Sequence, residues 1–464
     1  MSFVVTNQPA SPLSGISLSR YKDILLSGQT AFHARTMEIA ELSEETRNLL
    51  LPISLKQDQG PTQLKAQIPQ DLALESLMNE VQEELDQWNE QDQTFTQADE
   101  DIRAITINAT QICNLHCTYC AAGGDGTYSS PQKQIDLLKS IPQLQRVLES
   151  KKANSSLHIA FLGGEPLLFP KGIRILCEYL TSFAASRQIQ LTFKVTTNGT
   201  VMNQQILTLL SDYQIGVVIS CDGVPEIQDR YRPAKGSVAS STLLEKATGE
   251  LMAHRQNIPF IGVHCVFHTT EQNLVQAADY FKKLGFDWYE FTPDVSNSSD
   301  ELTQAYLTSL ATLAEREFAE GGIQGLSRIH NFQTIFARLE SRTPLRSHCG
   351  IGKNFMMMDA KGDFYLCPWM VGKSSAKIQN LKDDSWAKFK QDLVDLHECQ
   401  DCWARNLCGG GCHFIHNNHG QKKDKSYCER VRGTMALAIR YFGQFQIEQS
   451  TLTVMSDIRE GNHE

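Results

Sequence analysis

Basic residues are in the minority along this chain of 464 residues. Lysine and arginine total 43 against 53 aspartates and glutamates, which gives a formal net charge of -10. A partner with a phosphate backbone needs a basic field, so nucleic acid is excluded as the main partner. No window approaches the run of about 18 apolar residues that a membrane span needs. The N-terminus MSFVVTNQPASPLSG has neither a basic start nor an apolar signal core, so we expect a cytoplasmic protein with no membrane partner.

The first hundred residues lack cysteine, and from Ala66 to Ile102 they also lack lysine and arginine. Two interpretations of this acidic stretch stay open: a helix packed on the main body with its charged face in water, or a module that holds a partner peptide. We assign residues 1–100 to an N-terminal extension of mixed and helical character. Within it, apolar residues recur at steps of four and three, as on one face of a helix: Leu74, Met78, Val81, Leu85 and Trp88.

Disulfide bonds are an improbable use of the 13 cysteines, because the cytoplasm is reducing. The cysteines are also unevenly distributed. Three lie within eight residues, at Cys113, Cys117 and Cys120, and seven lie between Cys349 and Cys428. Metal or redox chemistry is the default expectation for such clusters.

From residue 102 onward, apolar strands alternate with amphipathic helices. Six such repeats with β-branched strands imply parallel pairing and right-handed crossovers, and hence an α/β fold in which helices wrap a parallel sheet. Such a fold places its chemistry at the carboxyl ends of the strands. The strand candidates are IRAITINAT, HIAFLGG, LTFKVTTNG, IGVVISCDG, FIGVHCVFH and WYEFTPD.

The alternation stops near Pro293, and residues 302–341 have helical character. From His348 the chain is rich in glycine and cysteine with little periodicity, so metal coordination is the candidate for ordering it. We expect a domain of parallel strands over 101–300, a helical bridge over 301–345, a cysteine-rich domain over 346–435, and a C-terminal helix and tail over 436–464.

Cys113, Cys117 and Cys120 follow directly on the first predicted strand, and thiolates at this spacing can converge on one soft metal centre. A structural zinc site needs a fourth protein ligand. Cys177, the next cysteine, lies in a helical run, and His116 would point away from a centre bound by its neighbour Cys117. Three thiolates on a 4Fe-4S cube leave one iron without a protein ligand.

The CxxxCxxC spacing resembles the signature of radical S-adenosylmethionine (radical SAM) enzymes. The resemblance implies that S-adenosylmethionine chelates the open iron through its amino and carboxylate groups. It also implies that the reduced cluster cleaves this cofactor to methionine and a 5'-deoxyadenosyl radical. The fold expected from this family is a partial (β/α)6 TIM barrel.

Further motifs resemble the cofactor pocket of that family, each at a successive strand end. In GGEP, Gly163, Gly164 and Glu165 correspond to the backbone and glutamate that hold the amino group of the cofactor. A buried acid at this place would need such a cationic partner. In TTNG, Asn198 lies near the cofactor, and in ISCDG, Ser220 corresponds to a ribose contact.

Two more residues complete the pocket that the resemblance implies. Arg232 of DRYR would pair with the cofactor carboxylate through a charge-assisted bond. Tyr119, just before the last cluster cysteine, would pack its ring or present its backbone at the adenine. Cys221 and Asp222, which follow Ser220 at the same strand end, are the candidate catalytic residues because we expect them to face the cavity. Cys177 and Cys265 are expected to be small buried apolar residues.

The C-terminal cysteines resemble the seven-cysteine SPASM arrangement, an auxiliary iron-sulfur domain of radical enzymes that act on peptides and proteins. A zinc ribbon would pair two CxxC knuckles, and this chain has one, CQDC. The resemblance implies one complete cluster and one nearer the active site. Cys399, Cys402, Cys408 and Cys428 would bind the first, and Cys349, Cys367 and Cys412 the second.

In some relatives a further cysteine completes the nearer cluster, but this chain has SRTPLRSHC at that place. The fourth ligand of that cluster therefore stays open, with His348, water or a substrate side chain as the alternatives. Together the two motif sets imply three 4Fe-4S clusters and S-adenosylmethionine as cofactors.

The stretch AAGGDGTY after the first cluster resembles radical SPASM maturases of ribosomally made peptides, including those whose precursors carry Nif11-type leaders. The resemblance implies a precursor peptide as substrate, with a thioether or carbon-carbon cross-link or a backbone excision as the modification. The leader would be recognised by residues 1–100 or by a separate partner protein. A flavodoxin or ferredoxin would serve as reductant.

Two alternatives stay open. One is oxidation of a side chain in a folded protein, as in anaerobic sulfatase-maturing relatives, which usually have an aspartate after the second auxiliary cysteine where this chain has Pro368. The other is a non-catalytic iron-sulfur electron carrier, which would need no pocket for S-adenosylmethionine.

Overall fold

The computed structural model describes most of the chain from residue 101 onward and parts of the N-terminal extension. The apolar stripe from Leu74 to Trp88 and the stretch AAGGDGTY lie outside the described residues. Those described are 19–21, 24–27, 30–41, 101–120, 134–297, 299–378, 392–418 and 423–460.

The N-terminal extension contains a four-stranded antiparallel sheet. Its strands pair in chain order, with Leu25 and Phe32 buried beneath the sheet. An ion pair between Glu38 and Arg342 and a hydrogen bond of 2.9 Å from Asn406 Nδ2 to the Arg35 carbonyl attach this sheet to the C-terminal half of the chain. The strands are β1 (Ser19–Tyr21), β2 (Ile24–Ser27), β3 (Thr30–His33) and β4 (Ile39–Glu41).

The main sheet has nine strands, and six of them form the predicted parallel half-barrel. These six correspond to the six apolar strand motifs of the sequence, and every neighbouring pair among them is parallel. The prediction of an α/β partial barrel is therefore confirmed. The strands are β5 (Ala104–Thr110), β6 (Ser156–Gly163), β7 (Gln190–Thr197), β8 (Ile215–Ser220), β9 (Ile261–Phe267) and β10 (Trp288–Pro293).

Six helices lie between these strands, and their ends follow from local sequence. Asn203 and Asn273, for example, cap two of them by accepting backbone N–H bonds. Gly285 ends the helix that Asn273 begins, in the left-handed conformation with φ of 88°. The helices are α1 (Leu137–Leu148), α2 (Pro170–Arg187), α3 (Gln204–Asp212), α4 (Pro225–Tyr231), α5 (Ser240–Ala253) and α6 (Leu274–Leu284).

The cysteine-rich segment contributes three further strands to the main sheet, which its weak periodicity did not predict. The run FMMM forms β11 (Phe355–Met358), which pairs in parallel with β5. Strands β12 (Phe364–Tyr365) and β13 (Lys377–Ile378) then add antiparallel to the edge. The second cysteine set is therefore fixed beside the first strand of the half-barrel rather than tethered at a distance.

Helices form the rest of the C-terminal half, and the helical character expected for residues 302–341 is confirmed. The long last helix packs along two others, with Phe336 and Phe442 ring centroids 5.7 Å apart. No helix in the described part of the chain is long and apolar enough to cross a membrane. The helices are α7 (Asp300–Ser327), α8 (His330–Ser341), α9 (Leu393–Leu396), α10 (Arg405–Cys408), α11 (His413–Asn418) and α12 (Lys425–Glu460).

Two aromatic rings pack on the inner face of the half-barrel near the amino ends of β9 and β10. A Cβ at Gly262 would lie 2.4 Å from Trp288, and one at Gly216 would lie 2.2 Å from Phe260, so both rings occupy space that only glycine leaves. The Phe260 and Trp288 ring centroids are 6.0 Å apart, and Trp288 lies 4.9 Å from His330. The strand-end motifs lie at the opposite end of the half-barrel, which we call its carboxyl-end mouth.

Candidate functional site

The loop that carries Cys113, Cys117 and Cys120 lies at this mouth, directly after β5. Its backbone is held by the segment after α4, because His116 N donates to the Pro233 carbonyl at 2.8 Å. The three thiols are close enough to interact electrostatically. Burial raises the pKa of Cys117 to about 11, although the nearby charge of Arg232 opposes the rise. The His116 side chain is exposed.

Glu165 is a fully buried carboxylate at the end of β6. It accepts hydrogen bonds from Leu167 N at 2.9 Å, Thr197 Oγ1 at 2.8 Å and Asn198 N at 2.6 Å. Burial nevertheless raises its pKa to about 7. Within the described ranges no lysine, arginine or histidine forms an ion pair with it. A cationic ligand group would supply the missing counter-charge, and that is the role expected of Glu165 toward the amino group of S-adenosylmethionine.

Gly163 and Gly164 bring the end of β6 into direct contact with the start of the cysteine loop. Gly164 N donates to the Thr110 carbonyl at 2.7 Å. A Cβ at Gly163, where φ is 142°, would lie 2.2 Å from that same carbonyl oxygen, and one at Gly164 would lie 2.4 Å from the Ile112 carbonyl oxygen. Only glycine allows this approach, so the two glycines set the distance between Glu165 and the cysteine loop.

Asn198, at the end of β7, is tied to the cysteine loop through its side chain. Its Nδ2 donates to Asn114 Oδ1 at 2.8 Å and lies 3.7 Å from Cys113 Sγ. Its Oδ1 accepts from Thr200 N at 3.0 Å. The structure thus places Asn198 beside both the first cysteine and Glu165. Its position near the cofactor stays a prediction.

Arg232 and Tyr119 converge on Asp222. Arg232 Nε donates to Asp222 Oδ2 at 2.9 Å, and the Tyr119 hydroxyl donates to the same oxygen. Burial works against the charged guanidinium, yet Asp222 keeps the pKa of Arg232 well above its usual value. The bond to Asp222 uses Nε, and the two terminal nitrogens carry the donors that a cofactor carboxylate would need. No motif in the sequence indicates that Asp222 anchors both residues.

His268, just after β9, belongs to the same site, although it was not a predicted site residue. Its ring stacks on Tyr119, with centroids 4.3 Å apart and planes 29° apart. Burial lowers the pKa of His268, and its buried Nε2 has no hydrogen-bond partner in the structure. Its place at the end of the fifth strand motif, FIGVHCVFH, is the signal that could have identified it.

Cys221 does not face the mouth, contrary to the expectation from sequence. Its side chain is fully buried, its thiol donates to the Gly223 carbonyl at 3.5 Å, and burial raises its pKa to about 12. The reason is the alternation of side chains at the end of β8: Ser220 is half-buried on the inner face, and the next residue points into the core. Cys177 and Cys265 are fully buried as well, as expected.

The seven C-terminal cysteines form two groups in space. The thiol of Cys408 interacts with three others in one group, and that of Cys367 with two others in the second. Burial raises the pKa of each of these two thiols to about 12. The groups are Cys399, Cys402, Cys408 and Cys428, and Cys349, Cys367 and Cys412, so the structure brings together the same residues as the interleaved ligation implied by the SPASM resemblance.

A run of three glycines separates the two groups. Gly409, Gly410 and Gly411 all have positive φ, at 64°, 80° and 75°. A Cβ at Gly410 would lie 2.3 Å from the backbone of Leu393. This left-handed turn lets Cys408 face one group and Cys412 the other within four residues. His348, a candidate fourth ligand, is exposed, and its backbone N donates to the Gly409 carbonyl at 2.9 Å.

Three buried histidines line the turn. Nδ1 of His397 donates to the Gly410 carbonyl at 2.6 Å, so its Nε2 accepts from His413 Nδ1 at 3.2 Å. His416 Nδ1 accepts from Asp424 N at 3.2 Å. Burial lowers the pKa of all three imidazoles, that of His416 to about 4. Neutral imidazoles in this position support the loop rather than carry charge.

The three sets of cysteines can be compared with the iron-sulfur clusters that the sequence predicts for them. Among the residues that the structure describes, no three histidine, cysteine, aspartate or glutamate side chains are close enough to hold one metal ion. A structural zinc site takes four protein ligands, whereas the groups of Cys113 and of Cys349 each offer three thiols. Sets of three and four thiolates are donors that 4Fe-4S clusters use, so the residues present fit such clusters.

Comparison with known proteins agrees with this geometry. Residues 107–248 match the model of the Radical SAM superfamily. This span runs from the first strand of the half-barrel through the cysteine loop, Glu165, Asn198 and Arg232. The chain therefore carries a radical SAM domain over these residues.

The relatives include a protein of unknown activity and a maturase. An uncharacterized protein of Methanocaldococcus jannaschii is 26% identical over 312 residues, which cover 66% of this chain and 96% of that protein. A cysteine-type anaerobic sulfatase-maturating enzyme of Clostridium novyi is 23% identical over 333 residues, covering 66% of this chain and 86% of the enzyme.

A solved structure shares the fold. The structure of native anSMEcpe with bound AdoMet and Cp18Cys peptide superposes with a TM-score of 0.58 at 19% identity, covering 74% of this chain and 98% of that one. At this identity the likeness concerns the fold.

Proposed function

We propose that this radical SAM enzyme modifies a ribosomally synthesised precursor peptide. The observation that carries the cofactor part of the proposal is the buried carboxylate of Glu165, which has three neutral donors and no cation among the described residues. The substrate part is supported by the two further thiol groups fixed beside β5 and by the AAGGDGTY motif.

Different residues at the mouth would bind the iron-sulfur cluster and S-adenosylmethionine. Cys113, Cys117 and Cys120 would hold a 4Fe-4S cluster, and Glu165 and Arg232 would bind the amino and carboxylate groups of S-adenosylmethionine. Bound together, this pair supplies a carbon radical strong enough to remove hydrogen from an unactivated carbon. Asp222 positions Arg232 and Tyr119.

The two C-terminal thiol groups would hold two more 4Fe-4S clusters, which supply electron acceptors of the kind that a two-electron oxidation needs. Such an oxidation matches a thioether or carbon-carbon cross-link, and a backbone excision is the related outcome. A flavodoxin or ferredoxin would provide the reducing electron. The leader of the precursor would bind the N-terminal extension or a separate partner protein.

The test is a reaction of the purified, cluster-loaded chain with the short precursor peptide encoded beside its gene. We expect 5'-deoxyadenosine to form with a change of peptide mass, either a loss of hydrogen or a loss of a backbone fragment. Cys117→Ala should abolish both products, and Cys177→Ala, which changes a buried cysteine outside the site, should retain both. An unchanged precursor together with an oxidised sulfatase peptide would refute the proposal.

Maturation of a protein side chain is the second candidate, and the similarity to sulfatase-maturating enzymes favours it. Pro368 stands against it, because it occupies the place where those enzymes usually have an aspartate. A peptide with the sulfatase cysteine or serine motif, offered in parallel with the precursor, separates the two functions. Formation of 5'-deoxyadenosine in either reaction would exclude a pure electron carrier.

A further inference from the structure

The polar layer at the mouth continues past the residues that the family resemblance assigns to the cofactor. Thr197 pairs with Ile219, so Asn198 lies beside Ser220. Ser220 is the register partner of His264 on β9, and His264 is the register partner of Glu290 on β10. Because side chains alternate along a strand, all four project to the inner face. His264 and Glu290 therefore extend the layer toward the far edge of the half-barrel.

Glu290 differs from the other carboxylates of the site in its bonding. Asp222 is bound by Arg232 and Tyr119, and Glu165 accepts three hydrogen bonds. Glu290 is half-buried, and its carboxylate forms no hydrogen bond or ion pair with the described residues. Its oxygens are not buried, so they are open to accept hydrogen bonds from a bound molecule that brings N–H groups to this face.

The neighbours of Glu290 do not supply those donors. His264 Nε2 shares a hydrogen bond of 3.1 Å with Thr292 Oγ1, which fixes the imidazole on the same face. Burial lowers the pKa of His264, although Glu290 partly opposes this, so the ring is neutral at pH 7. Lys194 on β7 is near enough to act on His264 electrostatically, but its side chain is exposed.

A large ring lies below Glu290 on the same strand. Trp288, two residues earlier and on the same face, packs against Gly262 and lies 6.0 Å from Phe260 between ring centroids. The strand-end cofactor contacts expected at Glu165, Asn198 and Ser220 lie at the ends of β6, β7 and β8. Glu290 on β10 is therefore left for the second reactant.

We propose that Glu290 positions the peptide substrate by accepting a hydrogen bond from a peptide N–H group, with His264 beside it as a fixed polar neighbour. This inference rests on the proposed function, since it needs a peptide as the second reactant. Glu290 is then a substrate-contacting residue on β10, separate from the residues that hold S-adenosylmethionine.

The test compares Glu290→Gln with Glu301→Gln, which makes the same change on the exposed first turn of α7. Binding of the fluorescein-labelled precursor is followed by anisotropy with unreduced, cluster-loaded enzyme and saturating S-adenosylmethionine. We expect Glu290→Gln to weaken peptide binding by about tenfold, the loss typical of one hydrogen bond to a charged group. Thr292→Val removes the hydrogen bond that fixes His264 and should weaken peptide binding by a smaller factor. Glu301→Gln should not change peptide binding.

Steady-state kinetics add a readout that a merely structural change would not move. In Glu290→Gln the KM for the precursor should rise at least about five times more than the KM for S-adenosylmethionine. The ratio of 5'-deoxyadenosine formed to peptide modified should rise as well. Equal iron content and circular dichroism in all variants would show that the fold is retained.

Three results would overturn the inference. Equal peptide binding by Glu290→Gln and Glu301→Gln, with the precursor still modified, would refute the role of Glu290 and leave the proposed function standing. A rise confined to the KM for S-adenosylmethionine would move Glu290 to the cofactor site. Failure of the unaltered enzyme to bind the precursor, while it still cleaves S-adenosylmethionine, would refute the proposed function and the inference with it.

Discussion

Replacement of Glu165 by glutamine should remove a pH dependence of stability that the structure predicts for the cofactor-free enzyme. Burial raises the pKa of Glu165 from 4.5 to about 7. A carboxyl with a higher pKa in the folded state binds its proton more tightly there. Its contribution to the free energy of unfolding is therefore fully present below pH 4.5 and is lost as the pH rises through 7.

The size of the effect follows from the same values. At 1.36 kcal/mol for each pH unit, the difference between 4.5 and about 7 corresponds to about 3 kcal/mol of unfolding free energy. Glutamine in this place cannot ionise, but its amide N–H group would face the donors Leu167 N or Asn198 N. Glu165→Gln should therefore be less stable than the unaltered chain at pH 5, and the difference should shrink by about 2.5 kcal/mol between pH 5 and pH 8, because part of the effect is already lost at pH 5.

The assay is urea unfolding of the cluster-loaded, cofactor-free protein at intervals between pH 5 and pH 8. S-adenosylmethionine should bind more tightly above pH 7, where Glu165 is ionised and can pair with the amino group, and Glu165→Gln should lose that dependence. Glu301→Gln serves as the control for removal of an exposed carboxylate. A stability difference between Glu165→Gln and the unaltered chain that stays constant over this range would refute the reasoning.

Three further predictions concern the packing and the donor sets. Asp222→Asn leaves the buried guanidinium that it binds without its counter-charge, so it should cost about 3 kcal/mol in urea unfolding and raise the KM for S-adenosylmethionine. Gly163→Ala should lower the free energy of unfolding by about 2 kcal/mol, because φ at this residue is 142° and a Cβ would lie 2.2 Å from a carbonyl oxygen. Gly236→Ala is the control and should leave stability unchanged, because no atom lies within 4 Å of a Cβ at that position. Iron analysis should give about twelve irons per chain and about eight in Cys402→Ala, with Cys177→Ala unchanged; an equal iron content in all three would contradict the assignment.

The local sequence pattern was sufficient to predict the six parallel strands of the half-barrel. Each is an apolar, β-branched run between helical segments, and burial on the outer face requires that pattern. Strands β11 to β13 could not be predicted in the same way, because FMMM has no period of its own and becomes a strand only by pairing with β5. The N-terminal sheet is similar, since its strands are three or four residues long and depend on their neighbours.

The residues of the site also separate into those that local pattern predicts and those that only tertiary contacts reveal. Spacing predicted the cysteine loop, and the strand-end motifs predicted Glu165, Asn198 and Arg232, which the structure brings to the same mouth. The anchoring of Tyr119 and Arg232 by Asp222 and the stacking of His268 on Tyr119 join residues from different strand ends, so no local pattern records them. The burial of Cys221 was misjudged because a shift of one residue at a strand end reverses the direction of a side chain.

The sequence by itself determined the chemistry of the ligands, since thiols at fixed spacing and glycines before an acid are written in the order of residues. It also determined the class of fold, because periodicity and strand composition act over short distances. Only the tertiary structure decided which cysteines share a group, which carboxylate lacks a partner, and where His264 and Glu290 lie relative to Ser220. These depend on register between strands that are distant in the chain, and register is set by the packing of the whole half-barrel.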